Sequence, residues 1–243
     1  MQPRDIVQAI AAKTGDIGGS FYFHPDTLAR GKELGVDGFR FYFIGRGGVL
    51  GDVEPDVVLS AFGYFHPALL TKLWNTAKER VAPRDAARAY LECCHALGRK
   101  RYAAVEGLDE YNAAAAKVIA AVDPSAMPLF AGVRAEPTPD DAPALAAHHV
   151  MVLRELRGSA HLVAIRAVGL TTDVAHAIKR PDDLKSFGYE AAPPITDDDR
   201  ARHTDAERIT DDILAVPFAA LDDAEAAALI AGTDALHAAS AAG

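Results

Sequence analysis

The sequence predicts an all-α protein built from many helices, and three observations carry that reading. Alanine, the strongest helix former, is very frequent, and aromatic residues make up only 7% of the chain. Prolines stand repeatedly at positions suited to the first turn of a helix, as in Glu54-Pro55 and His66-Pro67, where a fixed φ and a missing N–H are tolerated. The one stretch with strand-like alternation, Gly38-Phe39-Arg40-Phe41-Tyr42-Phe43-Ile44-Gly45-Arg46, has no partner strand nearby and is therefore read as a helix.

Taken in order, the chain opens with an irregular lead-in that ends at Phe21-Tyr22-Phe23-His24-Pro25. Pro25 then starts a helix, and Gly35 stops it after Leu34. The aromatic helix from Gly38 breaks at Gly47-Gly48, and Pro55 begins a short helix reaching Gly63. Pro67 opens a helix through Trp74 to Val81, Pro83 one to Arg101, and Leu108 one to Val122. Residues 124–143 hold five prolines with Pro143 and read as a linker or wrapped loop. That boundary divides the expected organisation into an N-terminal helical domain, 1–123, and a C-terminal one, 144–243. Next, residues 148–161 read as the end of one apolar helix, a Gly158-Ser159 break, and the start of a buried second helix. Thr171 caps a helix to Arg180, and Pro181 starts a further turn. Residues 187–194, with Gly188 and Pro193-Pro194, form a loop. Thr196 followed by three aspartates is a strong helix start, because acids complement the dipole there. A last helix begins near Asp222-Asp223.

Composition excludes several function classes. Half of the residues are hydrophobic and 24% charged, as in a globular protein, with a formal net charge of −9. That charge disfavours nucleic acid, whose affinity rests on phosphate contacts. No membrane-spanning run and no signal peptide are read, so the expected location is the cytoplasm. The two cysteines are adjacent, Cys93-Cys94, and give no disulfide framework.

The candidate chemistry gathers around residues 148–161. Arg154, Arg157 and His161 lie at i, i+3 and i+7 on one helical face, where like charges repel unless carboxylates or a bound anion answer them. A salt-bridge network with Glu155 and acids on other helices accounts for this pattern as well as a ligand does. Arg46, between glycines, either closes a helix end or sits in an anion-binding turn. His66 either caps a helix or faces a pocket. Cys93-Cys94-His95 does not converge on one ion, because neighbours on a helix point about 100° apart. His149 and His161 can share a metal or a haem iron only if the break at Gly158 bends the chain. No other metal set is read, and no cofactor is identified. Nucleophile elbow, Walker loop and dinucleotide fingerprint are all missing.

With these residues laid out, the chain resembles an actinobacterial helix-turn-helix family, the SalK-like proteins related to MarR-like winged-helix regulators. The resemblance rests on Leu153-Arg154-Glu155-Leu156-Arg157-Gly158-Ser159-Ala160-His161, on Phe65-His66-Pro67-Ala68-Leu69, and on Ile44-Gly45-Arg46-Gly47-Gly48-Val49-Leu50-Gly51. Thr210-Asp211 and Pro217-Phe218-Ala219-Ala220-Leu221 echo its closing pattern. Residues 187–194 replace the segment that would supply the recognition helix and wing, so the resemblance implies a degenerate winged helix at the C-terminal end. The expected function is binding of a small organic, anionic molecule in an internal helical pocket formed by Arg46, His66, His149, Arg154, Arg157 and His161. Sequestration and catalysis are not separated. Alternatives are a MarR-like DNA-binding regulator, whose reading surface would need Arg200, Arg202 and His203, and a helical interaction module with structural arginines. The expected partner is a small-molecule ligand, with neither nucleic acid nor membrane; a homodimer is left open.

Overall fold

A computed structural model describes residues 1–241, and among them the chain forms twelve α-helices, two 3-10 turns and no strand. The helices are α1 (Pro3–Gly18), α2 (Pro25–Glu33), α3 (Gly38–Gly47), α4 (Pro55–Phe62), α5 (Pro67–Lys78) and α6 (Pro83–Tyr102). They continue with α7 (Leu108–Ala121), α8 (Pro128–Arg134), α9 (Ala142–Ala167), α10 (Thr172–Lys179), α11 (Asp197–Phe218) and α12 (Asp223–Ala241). No helix is long and apolar enough to cross a membrane.

Helix α9 is the axis of the molecule. Its 26 residues span about 39 Å, and α1, α6, α7, α8 and α11 all pack against it. Residues on every side of its first five turns are buried, which is why its apolar pattern shows no single face. Helix α12 lies across α1 and α7, and α3 sits between α5 and α6. One apolar core runs from Ile6 to Leu236, so residues on both sides of 124–143 enter it. A smaller cluster forms around Ala164, Ile165, Leu170, Ala175 and Ala206, where α9, α10 and α11 meet.

Most helix starts fall where the sequence placed them. Proline holds the first helical position in α2, α4, α5 and α6. Thr196 and Asp199 form a reciprocal capping box at the start of α11. Residues 187–194 contain no helix. They are tied to the fold by Phe187, whose ring stacks on Phe65 at 4.2 Å and whose carbonyl accepts from the His66 N–H.

Four expectations are corrected. The lead-in is not irregular: α1 buries Ile6, Val7, Ile10 and Ile17 along one stripe. The proline-rich stretch is not wholly loop, because Pro128 starts α8, which buries Leu129, Phe130 and Val133. There is also no break at Gly158, since α9 runs through it. A glycine inside a helix costs roughly 1 kcal/mol, and packing of five neighbouring helices on α9 outweighs that. In addition, the run after His161 is not buried all round. Ala164 and Ile165 are buried, Leu162 and Val163 are half-buried, and Arg166 is exposed.

Candidate functional site

Two polar clusters lie along α9, on opposite sides of it, because Glu155 and Arg157 are two residues apart and so point about 160° from one another. The first surrounds Glu155, whose carboxylate is 1% exposed. The Arg46 guanidinium, reaching from α3, donates to it twice, Nε to Oε1 at 2.8 Å and Nη2 to Oε2 at 2.6 Å. Arg154 Nη1 donates to the same Oε1 at 3.1 Å and to the Tyr22 hydroxyl at 2.8 Å, while Tyr22 donates to Glu155. Arg46 also donates to the Tyr42 hydroxyl. Aromatic faces complete the surroundings: the Arg46 guanidinium lies 4.4 Å from the Phe62 ring centre, and that of Arg154 4.7 Å from Tyr22. Burial alone would raise the Glu155 pKa, but Arg46, then Arg154, overcome it and hold the carboxyl at about 2. Gly18 and Gly19 permit this arrangement, because a Cβ at either would stand under 3 Å from Arg154. The cluster holds two guanidinium charges against one carboxylate.

The second cluster joins α9 to α11. Arg157 Nη2 donates to Glu207 Oε2 at 2.7 Å, and Lys179 from α10 reaches Glu207 Oε1 at 3.2 Å. His161 Nε2 stands 4.0 Å from the same oxygen. The Thr210 hydroxyl donates its single proton to the Ala206 carbonyl at 2.7 Å. It can therefore only accept from His161 Nδ1, 2.9 Å away, so the ring proton sits on Nδ1 and Nε2 carries a lone pair. His203, 8% exposed, lies beside it with ring centres 5.9 Å apart. Burial holds the His161 pKa down to about 4, with Arg157, His203 and Lys179 assisting against the opposing pull of Glu207. His161, His203 and Glu207 each offer one donor atom, all within 4.8 Å of one another.

The remaining expected residues go elsewhere. His66 Nδ1 accepts from the Ala68 N–H and caps α5. His149 Nδ1 faces the Asn112 carbonyl oxygen at 3.0 Å, the Asn112 amide being fixed by its bond to the Ala142 carbonyl. Since α9 is continuous, His149 and His161 lie about 18 Å apart along it and cannot share an ion. Arg46, His66, His149 and His161 thus do not meet in one place. His148, beside His149, is bonded instead to His95 of α6 at 3.1 Å. Cys94 is buried, Cys93 half-buried, and burial pushes both thiols up.

A small cavity lies between α1, α9 and α11, lined by Val7, Ile10, Thr14, Leu156, Arg157 and Phe218 among others, with a volume of about 20 Å³. That is room for roughly one water. Arg157 is the one expected ligand residue on its wall. The residues that would make a basic reading surface do not form one: Arg202 pairs with Asp198 at 2.7 Å, and His203 turns inward.

Sequence reasoning missed His203 and Glu207 as partners of His161, although their i, i+4 spacing places both on one face of α11. It also missed Thr14 and Tyr22, which lie on or just after the unrecognised α1.

The family described as a helix-turn-helix family matches residues 7–191, and the chain belongs to it. No curated protein and no solved structure matches the chain.

Proposed function

We propose that this protein binds a small organic molecule with an apolar body and an anionic or acceptor group, in the cavity between α1, α9 and α11. One observation carries the reading. Arg157 Nε and Thr14 Oγ1 are both buried without a protein hydrogen-bond partner, and both residues line the same otherwise apolar cavity. A buried polar atom left unpaired costs roughly 1–3 kcal/mol. The wall the cavity exposes is wholly apolar, so a ligand acceptor recovers that cost only once neighbouring side chains shift to uncover the two atoms, while the apolar wall takes the rest of the molecule. The chamber is smaller than any organic ligand, so binding displaces side chains such as Leu214 and Phe218 on α11. Arg46 and Arg154 stay outside this site, occupied by Glu155. The test is thermal shift and titration calorimetry with octanoate and phenylacetate as probes. Saturable binding that weakens in Thr14→Val, with the free variant as stable as the parent, supports the proposal. No response to either probe sinks it.

Family membership favours a second reading, a DNA-binding regulator. Against it stand the net charge of −9, the three aspartates that open α11, and the acids already paired with Lys179, Arg202 and Arg208. A mobility-shift titration at low salt against the DNA upstream of its own gene decides between them. A saturable submicromolar complex establishes the regulator.

A further inference from the structure

We propose that His161, His203 and Glu207 form a binding site for a divalent first-row transition-metal ion, with zinc as the working probe. The proposal is distinct from the organic-ligand site, since none of its three donor residues lines that cavity, although Arg157 touches both.

Convergence is the first argument. His161 projects from α9, while His203 and Glu207 stand four residues apart on α11 and so share a face. Their three donor atoms already lie within 4.8 Å of one another. A tetrahedral ion with bonds of about 2.0–2.1 Å needs its donors roughly 3.3 Å apart, so side-chain adjustments of about 1 Å close the set.

The second argument is the state of each donor. His203 is 92% buried, and its Nε2 has no protein hydrogen-bond partner. A salt-bridge network explains Glu207 and Arg157, but it leaves this nitrogen with nothing to do. On His161, Thr210 fixes the proton on Nδ1 and leaves the Nε2 lone pair facing Glu207. Metal-binding histidines are oriented in this way, through a hydrogen bond on the other ring nitrogen. Glu207 divides its two oxygens: Arg157 holds Oε2, and Oε1 faces His161.

Two imidazole nitrogens and one carboxylate oxygen suit zinc, iron, nickel or copper; magnesium and calcium prefer an all-oxygen set. Three protein ligands leave at least one position for water or a small ligand. The opposing group is Lys179, which occupies Oε1 but is 61% exposed and free to swing into solvent. Its departure removes a competing positive charge.

The test uses the full chain stripped of metal with a chelator at neutral pH. Zinc and, separately, cobalt are titrated by calorimetry, and cobalt also by visible absorption, where coordination by nitrogen and oxygen donors gives a spectrum that free cobalt lacks. One equivalent of ion should bind and raise Tm. His203→Ala should lose at least ten-fold in affinity, and Lys179→Met should gain several-fold. Absence of saturable one-to-one binding overturns the proposal. So does binding that is indifferent to His203→Ala or, should that variant not fold, to Lys179→Met.

Discussion

Glu155 grips Arg46 through two parallel hydrogen bonds of 2.8 and 2.6 Å, across 109 positions of sequence, in a place where the carboxylate is 1% exposed. Forked pairing of this kind is stronger than a single ion contact and fixes geometry as well as charge. It ties α3 to α9, and Arg154 and Tyr22 extend it to the segment after α1.

Removing the acid should therefore be costly. Glu155→Ala leaves two guanidinium groups without a counter-charge in a buried place, a loss of about 3–5 kcal/mol. Arg154→Ala should cost less, because Arg46 still answers the carboxylate. Urea denaturation of the two variants measures both. A loss below 1 kcal/mol for Glu155→Ala would refute the central role given to the pair.

Acid should destabilise the protein in two successive windows. His149 is held down to about 4 by burial, and His148 to about 3 by burial with His95 and His149. Their unfolded values lie near 6.5. Between those values the unfolded chain binds more protons than the folded one, so stability falls as pH drops from 6.5 towards 4. His149 alone contributes on the order of 3 kcal/mol over that window. Glu155, at about 2 in the fold and near 4.5 unfolded, adds a further loss from pH 4.5 to 2. Urea midpoints should hold nearly level from pH 7.5 to about 6.5 and decline from there to 3.5. His149→Gln should flatten the upper window, and an unchanged slope would count against the assignment.

Gly158→Ala should stabilise the fold. Gly158 lies inside α9, and a Cβ built there meets nothing within 4 Å. Alanine is favoured over glycine inside a helix by roughly 1 kcal/mol, which is about 2–4 °C in Tm for a chain of this size. Calorimetry showing a lower Tm would mean that the position serves something other than this helix.

Phe187→Ala should release residues 187–194 while sparing the core. Phe187 stacks on Phe65 and lies 4.0 Å from the His176 ring, and its carbonyl holds the His66 N–H. Truncation should cost about 1–2 kcal/mol, because Phe187 is only half-buried. It should also speed hydrogen exchange at the His66 amide and open the loop to protease. Unaltered exchange there would show that the loop is held by other contacts.

What was legible in the sequence was what local chemistry decides. Pro25, Pro55, Pro67 and Pro83 mark helix starts because their constraint acts within one turn. Thr196 with Asp199 is a self-contained cap. The α1 stripe of Ile6, Val7, Ile10 and Ile17 is equally local, although the sequence reading treats that segment as an irregular lead-in.

The sequence by itself determined that this chain is helical, where most of its helices begin, that 187–194 is a loop, and that arginines and histidines concentrate on residues 154–161. Only the tertiary structure decided what those side chains meet. Arg46 comes to Glu155 because α3 packs on α6, which in turn packs on α9, and His203 comes to His161 because α11 packs on α9. The continuity of α9 through Gly158 was decided in the same way. A lone helix weighs glycine's propensity cost against its own hydrogen bonds, but one packed by five neighbours gains far more from burial than a single glycine takes away.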